Sequence, residues 1–186
     1  FELTFLVMDP GYNEKNRKKI EENAKILNVP ITVFETNIFD VANSVDKSPC
    51  YLCARMRRGY LYSKAKELGC NKIAYAHHKD DLIETALMSL LYEGRFYAFP
   101  PVTHLDRTDL TVIRPLMLVS EADVKGFRNK YQLPVCKNPC PMDGHTHREY
   151  VKNLIRTLNM DSPGVRERLF HAVINGNFED WPRLSK

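Results

Sequence analysis

Residues 3–36, LTFLVMDPGYNEKNRKKIEENAKILNVPITVFET, decide the fold. Leu3 to Met8 is a short apolar run of the kind a buried strand makes. Asp9-Pro-Gly-Tyr-Asn13 ends it with turn chemistry, and Asn13 can cap the segment that follows. From Glu14 to Leu27 the pattern is helical but polar, with Ile20, Ala24 and Leu27 at i, i+4 and i+7 as a narrow inward face. Pro30 stops it, and Ile31 to Thr36 is rich in β-branched residues, as strands are. Strand, helix, strand at this length is a βαβ unit, which requires parallel strands.

The same alternation continues downstream. Ser48 and Pro49 form a strong helix start, a capping serine before a proline at the first helical position. That helix is expected to run to Leu68, with Gly69 as its stop. Lys72-Ile-Ala-Tyr-Ala76 reads as a third strand, and a helix from near Asp80 to Gly94 turns Ile83, Leu87 and Leu90 inward. Residues 95–119 are strand-like, most clearly Thr111-Val-Ile-Arg-Pro115, and Ser120 caps a helix from Glu121 to Tyr131. After a Pro/Cys loop from Leu133 to Gly144 come two closing helices. One spans about His147–Leu158, with Val151, Leu154, Ile155 and Leu158 inward; the other follows the serine-proline start Ser162-Pro163. The expected fold is therefore a single α/β domain over residues 1–186, a Rossmann-like doubly wound parallel sheet with a helical C-terminal tail. Ligands of such sheets sit at the carboxyl ends of the strands, where Asp9-Pro-Gly11 and Ala76-His-His78 both fall.

Composition narrows the class. With 44% hydrophobic and 27% charged residues the chain is globular in character, and it contains no apolar run long enough to span a membrane. No signal peptide is visible, and a cytoplasmic location is expected. A net charge of +4 suggests only a weak general preference for polyanions. The five cysteines, clustered as C-x2-C and C-x3-C, fit metal or redox work in a reducing compartment better than a disulfide framework. Neither G-x4-G-K-[ST] nor G-x-G-x-x-G occurs in these 186 residues.

Cys50 and Cys53 stand three apart on the first turn of a helix, so their thiols can converge on one ion or cluster. The helix N-terminus and Arg55, Arg57 and Arg58 are expected to favour thiolates there. Cys136 and Cys140 lie far along the chain and could complete the set. All four thiols would make a structural zinc site; three would hold an iron–sulfur cluster with one open iron. Cys70 begins a strand and reads as core. Asp81, Glu84 and Thr85 fall at i, i+3 and i+4 on one helical face, just after His77, His78 and Asp80. This group suits Mg²⁺ or an acid–base pair, or it is an ordinary acidic helix start with Asp80 capping. Arg57-Arg58 and Arg114 are either solvated or phosphate-binding. Arg148, Lys152 and Arg156 form a stripe at i, i+4 and i+8, either a wet face or a track for RNA phosphates. Tyr60, Tyr62 and Tyr92 read as core or rim.

Pro49-Cys-Tyr-Leu-Cys-Ala-Arg-Met-Arg-Arg-Gly59, Ala76-His-His-Lys-Asp-Asp-Leu-Ile-Glu-Thr85, Ile113-Arg-Pro-Leu116 and Asn138-Pro-Cys-Pro141 together resemble the tRNA 2-thiocytidine synthetase family of the PP-loop (N-type) ATP pyrophosphatases. The resemblance runs through essentially the whole chain in order. It implies an adenine nucleotide alpha hydrolase-like fold and an ATP-dependent tRNA sulfurtransferase. ATP adenylates the C2 carbonyl of an anticodon-loop cytidine, and sulfur then displaces AMP. Carried over, Cys50, Cys53 and Cys140 would be the ligands of a [4Fe–4S] cluster and, with Asp81, the catalytic set, while Cys136 is the lesser third ligand. His77, His78, Asp80, Asp81, Arg58 and Arg114 would serve ATP and Mg²⁺. The implied partners are tRNA, ATP, a sulfur donor such as a cysteine desulfurase, and a second copy in a homodimer, with no membrane.

The family's opening strand, Ser-Gly-Gly-x-Asp-Ser loop and helix have no counterpart in these residues, so the chain reads as N-terminally truncated and is expected to turn over ATP poorly by itself. Two other readings compete: a 2-thiouridine or lysidine synthetase of the same superfamily, and a non-catalytic RNA-binding domain held by zinc on Cys50, Cys53, Cys136 and Cys140. Lysidine formation needs no cluster, so the cysteines argue against it.

Overall fold

A computed structural model describes residues 1–45, 49–136, 138, 140, 144 and 146–176. In chain order the elements are β1 (Phe5–Asp9), α1 (Glu14–Ile26), β2 (Ile31–Glu35), α2 (Ile38–Asn43), α3 (Pro49–Glu67), β3 (Lys72–Ala74), α4 (Lys79–Glu93), β4 (Val102–Leu105), β5 (Leu110–Ile113), α5 (Glu121–Lys130), α6 (His147–Asp161) and α7 (Val165–Asn175). They fall into two compact units, one of residues 1–74, 102–113 and 127–143, the other of residues 75–101, 114–126 and 144–186.

In the first unit the βαβ expectation holds. β1 and β2 pair in parallel, in register from Phe5 opposite Ile31 to Asp9 opposite Glu35. Asn13 caps α1 as read, its Oδ1 accepting the Asn16 N–H at 2.9 Å. At the carboxyl end of β1 the buried Asp9 organises the turn, with Oδ1 accepting the N–H groups of Gly11 at 2.9 Å and Tyr12 at 2.6 Å. Gly11 has φ of 109°, which a side chain rarely adopts. The Asp9 carbonyl accepts both the backbone N–H and the hydroxyl of Thr36, and the Pro10 carbonyl accepts Phe39 N–H. These bonds fold the chain straight into α2, which buries Ile38 and Ala42. The sequence reading passed over α2, because six residues carry too little periodicity to stand out.

Helix α3 begins at Pro49 as expected, while its expected cap Ser48 lies outside the described residues. It ends in a Schellman motif: Gly69, at φ of 72°, donates to the Lys66 carbonyl and Cys70 donates to Ala65. β3 pairs in parallel with β5, and β4 pairs antiparallel with β5, so residues 95–119 resolve into a hairpin on the edge of a mixed sheet. β3 is shorter than read and only its middle residue, Ile73, is half-buried. The apolar interior here comes from Met8, Ile38, Ala42, Ala65, Leu110 and Val112.

The second unit packs α4, α6 and α7 around Leu82, Ile83, Met117, Val151, Ile155 and Phe170. Ile83, Val151 and Ile155 face inward as the 3.6-residue period requires, but Leu90 and Leu158 are exposed. The turn after α4 closes on the buried Ser89, whose Oγ accepts Tyr97 N–H and donates to the Arg95 carbonyl, each at 2.8 Å. Ser120 caps α5 as expected, accepting Asp123 N–H at 3.1 Å. The Ser162-Pro163 start is corrected. Gly164 is the N-cap of α7, whereas Ser162 closes α6 and its Oγ accepts Arg168 Nη2 at 2.7 Å. Serine followed by proline signals a helix start only when no preceding helix has claimed the serine.

Candidate functional site

The thiols lie in the first unit. Cys50 is exposed on the first turn of α3, while Cys53 and Cys140 are half-buried. An Asx turn presents Cys140, its N–H donating to Asn138 Oδ1 at 3.2 Å. Burial pushes the Cys53 thiol above its ordinary value; Arg57 opposes this, and the neighbouring Cys140 and Cys50 push it further up. The expectation that the helix start and arginines favour a thiolate is therefore corrected at Cys53, where desolvation outweighs the one arginine close enough to act. Cys136 is placed differently. It accepts a hydrogen bond from Asn23 Nδ2 of α1 at 3.2 Å, and it lines an open groove of about 560 Å³ with Lys15, Lys18 and Lys19. Cys50, Cys53 and Cys140 do not line that groove.

Among the described residues no three His, Cys, Asp or Glu side chains stand in metal-ligating geometry. Cys50 and Cys140 are near enough to Cys53 for their charge to act on its thiol, and as soft donors the three suit an iron–sulfur or zinc centre in their chemistry.

The His/Asp/Glu cluster lies in the second unit and is tied up more tightly than its spacing suggests. His78, not Asp80, caps α4: its Nδ1 accepts the Asp81 N–H, and Asp81 Oδ2 accepts the His78 N–H at 2.9 Å, a reciprocal capping box. Asp80 is buried. Its Oδ2 accepts the Glu121 N–H at the start of α5 at 2.7 Å, and its Oδ1 pairs with Arg166 of α7. Asp81, Glu84 and Thr85 do share one face, and Arg148 of α6 occupies it. Its Nη1 lies 3.0 Å from Glu84 and 3.5 Å from Asp81, and its Nη2 donates to Thr85 Oγ1 at 3.3 Å. The place that spacing offered to Mg²⁺ is thus filled by a guanidinium.

The basic stripe is corrected with it. Arg148 and Lys152 turn into ion pairs, Lys152 reaching Glu121 at 2.6 Å, so the stripe is not simply a wet face. Burial works to raise Glu121, but hydrogen bonds from Lys152 and Lys125 outweigh it and hold the carboxyl down at about 2. Sequence reasoning missed Arg166, because nothing local to it signals a partner 86 residues away.

His77, three residues past β3 in sequence, lies between Tyr75, at 5.4 Å, and Phe99, at 4.8 Å. Burial lowers its pKa despite Asp81, and its buried Nδ1 has no hydrogen-bond partner. Arg114 donates to the Pro100 carbonyl at 2.6 Å and lies over the Phe99 ring at 4.9 Å. Arg58 is exposed on α3. No helix among the described residues is long and apolar enough to cross a membrane.

Residues 11–160 match the PP-loop domain family. The chain is 35% identical over 179 residues to a tRNA-cytidine(32) 2-sulfurtransferase of Anaeromyxobacter dehalogenans, covering 93% of this chain and 61% of that protein. It is 34% identical over 180 residues to the protein of that name from Citrifermentans bemidjiense, covering 94% of this chain and 71% of the relative. Against the one from Neisseria meningitidis the identity is 34% over 182 residues, with 94% and 56% covered. Among solved structures, the U34-tRNA thiolase NcsA of Methanococcus maripaludis, determined with its [4Fe–4S] cluster, matches with a TM-score of 0.71 over 91% of this chain and 59% of that one. At 18% identity that likeness speaks to the fold alone, and it bears out the α/β expectation. The chain spans about three fifths of the first of these relatives. The chain belongs to the PP-loop domain family, in the branch of these tRNA-cytidine(32) 2-sulfurtransferases.

Proposed function

We propose that this chain is part of an ATP-dependent tRNA sulfurtransferase that thiolates C2 of an anticodon-loop cytidine. What supports the proposal is that Cys50 and Cys140 come near enough to Cys53 for their charge to act on its thiol, whereas Cys136 is bonded to Asn23, in a chain 34–35% identical to proteins of that name.

The reaction balances in two displacements. The C2 oxygen of the cytidine attacks the α-phosphorus of ATP, and pyrophosphate leaves. Sulfur then attacks C2, and AMP leaves with the former carbonyl oxygen. Cys50, Cys53 and Cys140 would hold a [4Fe–4S] cluster, which when bound supplies an open iron for the sulfur. His77, His78, Asp80, Asp81 and Arg114 are the proposed nucleotide-side residues, with Mg²⁺ accompanying ATP. His77, kept neutral by burial, brings an unpartnered ring nitrogen to this edge, and Arg114 brings a fixed cation. Asp80 and Asp81 act there through the helix starts that they hold. tRNA is the substrate partner, a cysteine desulfurase is the class of enzyme that would supply sulfur, and a homodimer is the proposed assembly.

The test is metal content and tRNA chemistry together. Anaerobically purified protein is expected to be brown with about four irons per chain. Cys50→Ala, Cys53→Ala and Cys140→Ala are expected to lose the iron, while Cys136→Ala and Cys70→Ala keep it. In a deletion strain, mass spectrometry of tRNA nucleosides should show 2-thiocytidine lost, restored by the whole protein of which this chain is proposed to be part and not by its Cys50→Ala variant. A colourless protein with one zinc that Cys136→Ala also loses would establish the zinc-held RNA-binding domain instead.

A further inference from the structure

The N-terminal half of α3 carries a charge arrangement that neither the thiols nor the nucleotide-side residues use. Over Pro49–Glu67 the helix holds Arg55, Arg57, Arg58, Lys64 and Lys66 against the single acid Glu67. Lys64 takes that acid, at 2.6 Å. Arg55, Arg57 and Arg58 are all exposed, and none forms an ion pair among the described residues. By contrast Arg17, Arg148 and Arg166 each meet at least one carboxylate. At 3.6 residues per turn, Cys50 and Arg57 (i, i+7) form one row on the exposed face, and Tyr51, Arg55 and Arg58 (i, i+4, i+7) form the next. Tyr51 is 65% exposed. Arg57 is near enough to Cys53 for its charge to act on that thiol.

We propose that this exposed face of α3, with Arg55 and Arg58 as phosphate grips and Tyr51 as a stacking ring, is an RNA-backbone contact surface that delivers the target loop to the adjacent thiols. The proposal rests on the tRNA reading above and deepens it by naming where the RNA is held. Guanidiniums with no carboxylate partner can engage phosphate bidentately. An exposed aromatic among them is the usual platform for an unstacked base, as a tRNA loop offers. Arg58 is thereby moved from ATP to RNA.

The experiment measures binding of an unmodified anticodon stem–loop RNA to the full chain at several salt concentrations, without ATP. Arg55→Ala/Arg58→Ala is expected to raise the Kd tenfold or more at low salt and to flatten the slope of log K against log salt by about 1.5. Arg57 is left in place so that the thiols keep their neighbour. Arg55→Lys/Arg58→Lys should retain most of the slope. Tyr51→Ala should weaken binding several-fold with the slope unchanged. Arg128→Ala/Lys130→Ala, which removes the same charge from the exposed last turn of α5, should bind like the parent. Iron content and circular dichroism confirm that each variant is folded. Parent-like binding by Arg55→Ala/Arg58→Ala, or an equal loss in the α5 control, overturns the surface while leaving the sulfurtransferase reading intact. No RNA binding by the parent overturns both.

Discussion

Arg148 Nη1 lies 3.0 Å from Glu84 Oε2, and Glu84 is only 4% exposed. Helix α6 therefore places a cation over the acidic face of α4, and that face is a structural joint as well as part of a proposed nucleotide edge. Burial raises the pKa of Glu84, and Arg148 pulls it back down without fully offsetting the desolvation.

Arg148→Met should destabilise the protein by about 1–2 kcal/mol at pH 7, the cost of leaving a buried acid unmatched, reduced because the arginine side chain is 43% exposed. The pKa of Glu84 in the folded state lies above the ordinary value of 4.5, so its favourable protonated form is present below that value and is lost as pH rises. The variant's deficit should therefore be larger at pH 7 than at pH 4. Urea titrations at the two pH values measure it, and the double variant Glu84→Gln/Arg148→Met should recover part of the loss.

Asp80 joins three helix starts through one carboxylate, accepting from Glu121 N–H and pairing with Arg166. Asp80→Ala removes both partners and should cost about 3 kcal/mol, whereas Asp80→Asn keeps an acceptor for Glu121 and should cost about 1–2 kcal/mol. Equal losses in chemical denaturation would show that the charge pairing with Arg166 carries the whole effect and the bond to Glu121 none of it; a cost-free Asp80→Asn would show the reverse.

Glu121 carries the clearest acid-range signature. Its folded pKa of about 2 lies below the ordinary 4.5, so its contribution is present above 4.5 and is lost as pH falls through about 2. Between pH 5 and pH 3 the parent's urea midpoint should fall more steeply than that of Glu121→Gln. Lys152→Met should flatten the profile in the same direction, because Lys152 is the first of the two lysines that hold the carboxylate.

In the first unit, Asp9→Ala leaves the N–H groups of Gly11 and Tyr12 without their acceptor and should cost about 1–3 kcal/mol. Asp9→Asn keeps an oxygen at the same place and should cost less. Hydrogen exchange at Gly11 and Tyr12 reports the loss locally; unchanged protection in Asp9→Ala would show that the turn does not depend on this carboxylate.

What the chain settled by itself is local. Asn13 and Ser120 cap helices where they were read, and Gly69 stops α3, because each acts on backbone groups two to five residues away. Parallel pairing of β1 with β2 followed from a connection too long for a hairpin. Cys50 and Cys53 were legible as a pair because one helical turn separates them.

The rest turned on partners far along the chain. Arg148 and Glu84 are 64 residues apart, and Arg166 and Asp80 are 86 apart. Spacing shows that acids share a face and that cations share a face; it does not show which faces meet. Burial is likewise a property of packing, which is why the Cys53 thiol rises although arginines surround it in sequence. Thus local hydrogen bonding and periodicity set the elements and put Cys50 and Cys53 on one helical turn, while tertiary packing decided that the acids of α4 are neutralised from within and that the arginines of α3 are left facing out.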